Sequence, residues 1–205
     1  MSFEDDIFEQ IKLFLPKYLT PKHTRDLFSE LSKFPDNMSF YLNPDDLREQ
    51  LLQGDGWKGF IAINFHTGER KTVLGAVLSN SCDIDPQNVG SLPVNVLFAP
   101  LIELRKYTDS LRAFGKTNDQ IQNTVINIKK QQVSNVFYLP ECPGSIPESL
   151  ILLGDIHAHP LQHFLAQSRQ SLFTLNQYAF YLFLIKLSIH FSRFQEDVKR
   201  CADAA

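Results

Sequence analysis

The sequence predicts an α+β fold in which a small curved antiparallel sheet or barrel is flanked by helices. Strand-like runs follow one another between residues 57 and 155, and the segments before, within and after them repeat apolar residues at helical spacing. Parallel βαβ units would need a crossover helix between most strands, and most connections here are too short or irregular for one. The pattern therefore favours an antiparallel meander over a doubly wound α/β fold.

The bulk composition predicts a single domain over residues 1–205. The chain has 205 residues, 43% hydrophobic and 21% charged, with a formal charge of -3. A chain of this length can bury a core that needs neither disulfides nor metal. Its three cysteines are widely spaced and odd in number, which is unlike a disulfide framework and favours the reducing cytoplasm.

No membrane association is predicted. The first ten residues, MSFEDDIFEQ, are acidic and lack the order of a signal peptide. The most apolar run, residues 178–191, contains Lys186 and His190 and is too short to cross a bilayer. We expect a buried helix there.

The first predicted part is helical and covers residues 1–53. Apolar residues recur at Phe3, Ile7 and Ile11, which is the spacing of one helix face. The Gly-Asp-Gly sequence at 54–56 then breaks the chain.

The β-barrel core is predicted over residues 57–155. The runs GFIAINF, TVLGAVL and VNVLFA form consecutive strands, and NVFYLP and SLILLGDI add two more. A polar segment with helical periodicity, residues 101–132, interrupts this set as a helical insertion.

A long or broken C-terminal helix is predicted over residues 165–200. Thr174 and Gln177 have the spacing of a capping box ahead of the apolar run.

A polar pentapeptide, SNSCD at 79–83, follows the apolar strand run GAVL. Ser and Asp side chains commonly bond nearby backbone groups in turns. We interpret the motif as a structural turn around a half-buried thiol, Cys82, since free cysteine is usually buried.

The ends of two predicted strands resemble the SH3-like barrels of the MazF/PemK toxin family, whose core pairs a "vlS" strand with a "vaP" strand. The matching residues here are Val77-Leu78-Ser79 and Phe98-Ala99-Pro100. The SNSCD form, the YLP strand at 138–140 and the late Arg193 more closely resemble a diffuse set of uncharacterised bacterial proteins. That resemblance implies an association with mobile-element or phage-defence gene clusters.

The resemblance also implies where catalysis would lie. In MazF-like toxins an Arg before the "vlS" strand and a Thr or Ser after the "vaP" turn act on the scissile phosphate and the attacking 2′-hydroxyl. Arg70 matches the family's Arg in residue type but lies a few residues further from the "vlS" motif. Leu101 and Ile102 follow the turn here, and neither can act on the phosphate or the 2′-hydroxyl. The catalytic pattern is therefore degraded, and fold alone does not carry the activity.

The residues offer one alternative catalytic centre, built on Cys82. A nucleophilic cysteine needs a nearby histidine or helix N-terminus to lower its pKa. His157 or His159 is the candidate base, and Asp83 or Asp155 is the candidate orienting group. The resemblance adds Arg70 as the phosphate-binding group of a nuclease. This hypothesis predicts that these side chains converge in one pocket.

The sequence contains two sets of residues of metal-ligand type, but we predict no metal at either set. Cys82, Cys142, His157 and His159 are zinc-ligand types without a C-x-x-C pattern. The D-x-D pair ending at Asp85 has magnesium-ligand types, but the commoner role is turn formation. We expect no metal and no cofactor, and phosphate-loop, hydrolase-elbow and zincin motifs are missing from the sequence.

The helical insertion carries most of the candidate binding residues. They are basic side chains that form a patch if they share a face, namely Arg105, Lys106, Arg112, Lys129 and Lys130. A solvated helix face is the commoner arrangement for such residues. The near-neutral chain charge argues against broad nucleic-acid binding but leaves room for a local basic groove.

The sequence predicts a non-catalytic interaction or sensing component of a bacterial phage-defence or toxin–antitoxin-like system. A protein partner is expected, and nucleic acid is a second candidate ligand. The alternative is a MazF-like ribonuclease or a Cys/His-dependent hydrolase centred on Cys82.

Overall fold

A curled antiparallel sheet forms the centre of the protein. The computed structural model describes residues 29, 39–42, 50–64, 66–88 and 93–192. Its strands are β1 (Tyr41–Leu42), β2 (Gly56–Ile63), β3 (Arg70–Val77), β4 (Asn95–Glu103), β5 (Val136–Leu139), β6 (Ser149–Leu152), β7 (His157–Pro160) and β8 (Gln170–Leu175).

The strand order is β1-β8-β2-β3-β4-β6-β5, and every pair is antiparallel. β4 is shared between partners, since its first half pairs with β7 and its last three residues pair with β6. A register shift between Lys58 and Phe60 interrupts the β2–β3 pair, and such bulges bend a strand. The sheet curls into a half-barrel, which confirms the predicted α+β class with a curved antiparallel sheet.

The helices in the described part of the chain are α1 (Leu104–Ala113), α2 (Asn118–Lys129), α3 (Leu161–Ala166) and α4 (Gln177–Ser192). The segment predicted as a helical insertion, 101–132, contains α1 and α2 but begins with the last three residues of β4. A capping box starts α2, where the Thr117 side chain accepts from the Gln120 backbone and the Gln120 side chain accepts from Thr117.

The predicted C-terminal helix is wrong in its first third. Residues 170–175 of the predicted 165–200 helix form β8, and α4 begins only at Gln177. Thr174 is a buried strand residue rather than a helix cap, and the Asn176 side chain instead accepts from the Ala179 amide at 2.9 Å. Residues 193–200, with Arg193, lie outside the described residues.

Three apolar clusters hold the sheet between its helices. The largest packs α4, through Ala179, Phe183 and Leu187, onto the sheet. A second lies beneath α3, where the Phe60 ring stacks between Phe98 at 4.2 Å and Phe164 at 4.3 Å. The third joins α1 and α2 to β5 and β6.

The helices predicted within residues 1–53 fall almost entirely outside the described residues. Among the helices that the structure does describe, none combines the length and the apolar character that crossing a membrane requires.

Candidate functional site

The SNSCD motif ties two distant segments to the end of β3. Ser79 Oγ accepts the Leu97 amide at 2.8 Å, and Ser81 Oγ accepts the Gln53 amide at 2.9 Å. Because both hydroxyls bond backbone amides of other segments, they are structural groups.

The rest of the motif folds on itself. Asn80 Oδ1 accepts the Cys82 amide at 2.9 Å, and Asp85 Oδ1 accepts the Gln87 amide at 2.9 Å. Ile84, only 1% exposed, anchors the turn in the cluster beneath α3. Asp85 therefore acts as a turn former, in the way that its position before a proline predicts.

No hydrogen bond or ion pair of the described residues joins any two of the candidate catalytic side chains, Cys82, Asp83, Arg70 and His157. Cys82 is exposed, which corrects the expectation of a half-buried thiol. Arg70 opens β3 and Cys82 follows its end, so roughly 23 Å of extended strand separates Arg70 from Val77 alone. Asp83 is exposed in the turn, and His157 lies on β7, where it pairs with Phe98 of β4.

The two histidines of β7 belong to the core beneath α3. The His157 ring stacks on Phe98 at 5.4 Å, and its Nε2 lies 3.0 Å from Asp155 Oδ1. His159 is 4% exposed and packs edge-on against Phe164 at 5.8 Å. Within the described ranges, no three His, Cys, Asp or Glu side chains are grouped as metal ligands.

The basic side chains of the insertion are mostly neutralised. Lys106 pairs with Glu103 at 2.5 Å, and Arg112 pairs with Asp109 at 2.6 Å. Lys129 contacts Glu148, which also accepts from the Tyr138 hydroxyl.

The remaining basic residues of the predicted patch, Arg105 and Lys130, are exposed. Neither makes an ion pair with a residue that the structure describes. Two free cations among five do not make a concentrated basic patch, so the insertion is a weak candidate for phosphate binding.

A polar depression lies instead along β8. This cavity, which we call the β8 pocket, has a volume of about 720 Å³. Its lining comes from β8 (residues 170–174), from Lys58 and Leu74 on the neighbouring strands, and from the turn at 142–145. Ligand pockets usually have volumes of about 300–1,000 Å³.

The charge of the β8 pocket has one sign. Lys58 and Arg169 line it, and no carboxylate does so among the described residues. Neither Lys58 nor Arg169 makes an ion pair with any residue that the structure describes. The Arg169 guanidinium instead lies over the Trp57 ring at 5.4 Å and the Phe164 ring at 5.9 Å. These ring faces attract and hold the cation.

Two residues of the pocket lining, Trp57 and Arg169, each have a buried donor without an acceptor among the described residues. The two atoms, Trp57 Nε1 and Arg169 Nη1, are sealed from solvent. Buried polar groups in proteins are nearly always paired, so these donors are exceptions. The guanidinium of Arg169 thus keeps its full charge beside the pocket, with neither a carboxylate nor a buried acceptor to offset it.

A buried carboxyl group fixes β8 behind the pocket. Asp55 accepts the Thr174 hydroxyl at 3.0 Å and the Leu175 amide at 3.2 Å. Burial raises the pKa of Asp55 to about 7, and these two hydrogen bonds only partly oppose that rise. The group is thus poised to change charge near neutral pH.

The turn at 142–145 forms the opposite wall. The Ser145 hydroxyl donates to the Leu172 carbonyl of β8, which closes the turn against the strand. Burial raises the pKa of the Cys142 thiol, so Cys142 is a poorer nucleophile than an open cysteine.

Comparison of the chain with protein-family models, with curated proteins and with solved structures gives no match. The candidate site therefore rests on its own geometry.

This site could hardly be predicted from the sequence. Trp57 and Arg169 are 112 residues apart (169 − 57) and meet only because β2 pairs with β8. The one available signal was the single tryptophan of the chain, since a large ring with one polar atom usually finds a partner for that atom.

Proposed function

We propose that the protein is a non-catalytic binding module that captures an anionic ligand in the β8 pocket. The observation that carries this proposal is the charge of the pocket, which is lined by two cations without ion pairs, Lys58 and Arg169, and by no described carboxylate. An anion supplies the missing countercharge.

The pocket is also built to hold its cation in place. Arg169 is immobilised over two aromatic rings rather than by a carboxylate, so its charge is not cancelled. An anion that binds there meets a positioned guanidinium and loses little affinity to side-chain ordering.

The catalytic alternative has less support. Cys82 is exposed in a turn that has its own structural purpose, and no hydrogen bond joins its sulfur to a described residue. Arg70 lies at the other end of β3. A hydrolase or nuclease would need these groups within hydrogen-bond reach of one substrate.

The family resemblance supplies a biological setting for this proposal. The two motif strands are neighbours, with Val77 opposite Phe98 and Ala76 opposite Ala99. This pairing agrees with the strand arrangement on which the MazF/PemK-like resemblance rests. Both the family and the setting stay predictions.

The test uses the two described cysteines as reporters. Inorganic pyrophosphate, citrate and short poly-glutamate are added separately, and alkylation of each cysteine is followed by peptide mass spectrometry. We expect at least one of these anions to slow alkylation of Cys142, which lines the pocket. Alkylation of Cys82, which lies on the β3–β4 connection, should be unchanged.

Two variants decide whether the effect comes from the pocket. Arg169→Gln is expected to abolish the protection of Cys142, whereas Arg105→Gln, which removes an exposed and unpaired cation from α1, should leave it intact. Protection that persists in Arg169→Gln, or no protection by any of the anions, would falsify the proposal.

A further inference from the structure

The β2–β3 pair contains one extra residue on the β2 side. Lys58 pairs with Leu74, and Phe60 pairs with Val73, so Gly59 has no partner on β3. An unpaired residue of this kind forms a β-bulge. In a regular strand the two residues on either side of Gly59 would point to the same face of the sheet.

The bulge sends Lys58 and Phe60 to opposite faces instead. Directly paired residues share a face, and their partners Leu74 and Val73 are successive residues of β3, which point to opposite faces. The surroundings agree with this assignment. Lys58 and Leu74 both line the β8 pocket. Phe60 belongs to the cluster beneath α3, and Val73 packs against that cluster. Without the extra residue, Phe60 could stay in the core only if Lys58 turned away from the pocket.

Gly59 also sets the path of the chain that carries the second cation. Its φ is +117°, in the region that favours glycine. A Cβ atom at this position would lie 3.3 Å from the Ser168 carbonyl oxygen and 3.4 Å from the Arg169 Cα. A side chain at Gly59 would therefore push the segment that enters β8 away from β2.

This close approach places the Arg169 guanidinium. β8 pairs with β2 as far as Gln170, which lies opposite Lys58, and Arg169 immediately precedes that pair. Its guanidinium lies over the ring of Trp57, two residues before Gly59 on β2. The cation thus reaches its ring from a backbone position that a side chain at Gly59 would disturb.

We infer that Gly59 is the positioning residue of the proposed anion site. Its bulge turns Lys58 onto the pocket face, and its missing side chain lets Arg169 lie over Trp57. Gly59 is not a lining residue of the β8 pocket, so it acts on an anion through the two cations. This inference rests on the proposed anion-binding function.

The test compares Gly59→Ala with Gly68→Ala as its matched control. Gly68 lies between β2 and β3, has a φ of +69°, and has no described atom within 4 Å of an added Cβ. Both substitutions strain the backbone of the same hairpin, but only Gly59→Ala presses on Ser168 and Arg169. Both variants should therefore unfold at lower urea concentrations than the wild type.

Anion affinity is measured by isothermal titration calorimetry with pyrophosphate, citrate and short poly-glutamate, each added separately to the full chain. For the anion that the wild type binds most tightly, we expect Gly59→Ala to bind about tenfold more weakly. Gly68→Ala should keep the wild-type affinity. If Gly59→Ala does not fold, Gly59→Asn replaces it, because asparagine tolerates positive φ better than alanine and brings the same Cβ against Ser168.

Two further readouts ask whether Gly59 acts through the cations. Emission of Trp57, the single tryptophan, reports the guanidinium over its ring. Gly59→Ala should change this emission in the direction that Arg169→Gln does, and Gly68→Ala should leave it unchanged. In double variants, Gly59→Ala should weaken anion binding less when Arg169→Gln or Lys58→Gln is already present.

The outcomes separate this inference from the proposed function. If the wild type binds an anion and Gly59→Ala binds it equally well, the positioning role is wrong and the anion pocket stands. Equal losses of affinity in Gly59→Ala and Gly68→Ala have the same meaning, as does a loss that neither Arg169→Gln nor Lys58→Gln reduces. If the wild type binds none of the three anions, both proposals are wrong.

Discussion

The substitution Asp55→Asn tests the account of how β8 is held. Asp55 is 2% exposed, and among the described residues its carboxylate accepts hydrogen bonds from Thr174 and Leu175 of β8 alone. An asparagine of the same shape can accept from the Leu175 amide and donate to the Thr174 hydroxyl. It keeps the geometry but cannot ionise.

The expected magnitude follows from the raised pKa of Asp55. Burial raises the pKa of this carboxyl group from its ordinary value of 3.8 to about 7 in the folded chain. Between these pH values the folded state holds a proton that the unfolded state has released, so the free energy of unfolding falls as pH rises. The stability present below pH 3.8 and lost by pH 7 is about 4 kcal/mol, at about 1.36 kcal/mol for each pH unit.

The assay is urea unfolding at several pH values from 4 to 8, followed through the single tryptophan. The wild type should lose about 4 kcal/mol more than Asp55→Asn over this range, and the variant should be the more stable protein at pH 8. Asp83→Asn, which changes an exposed carboxylate, is the matched control and should follow the wild type. If the Asp55→Asn curve runs parallel to that of the wild type, burial does not govern this carboxyl group.

Three further substitutions test other parts of the fold. Gly75→Ala places a methyl group 2.7 Å from the Phe60 ring and should lower the free energy of unfolding by about 1–3 kcal/mol in urea. Gln131→Ala uncovers the backbone of Tyr138 at the β5 edge, so sedimentation should detect more self-association than in the wild type. Burial lowers the pKa of Lys186 to about 8, so the wild type should gain stability as pH rises from 8 to 10.5, and Lys186→Met should lack this gain.

The strands of the sheet could be predicted because their signals are local. The runs that became β2, β3 and β4 are rich in β-branched and aromatic residues and are separated by recognisable turns. The structural interpretation of SNSCD was also accessible, since Asn80 bonds a backbone group two residues away.

β8 could not be predicted, and its partners explain why. Its sequence, QSLFTL, runs into the apolar helix α4 with one residue between them, so the two elements look like one periodic segment. The bonds that favour a strand come from Asp55, 119 residues before Thr174. Tertiary contacts of this kind override local propensity.

The candidate site was missed for the same reason. It consists of two residues from β2, one residue ahead of β8, β8 itself and a turn after β5, and each is unremarkable in its own segment. The residues that attracted attention in the sequence, Cys82 and the basic side chains of the insertion, are conspicuous by type. In the structure Cys82 is part of a turn, and most of the basic side chains of the insertion pair with a carboxylate.

The positions of Asp55 and the β8 pocket link ligand binding to pH. Thr174 lines the pocket and donates to Asp55, so an ionised Asp55 places a negative charge directly behind an anion site. Affinity for an anionic ligand should therefore fall as pH rises through 7, by roughly tenfold if the added repulsion is about 1.4 kcal/mol. Linkage requires the reverse as well, so a bound anion raises the pKa of Asp55 further. Titrations of short poly-glutamate at pH 6 and pH 8 would measure this difference in the wild type and in Asp55→Asn. If the affinity falls equally in both proteins between pH 6 and pH 8, another group is responsible. If the affinity falls in the wild type but not in Asp55→Asn, the carboxyl group that holds β8 also sets the affinity for the anion.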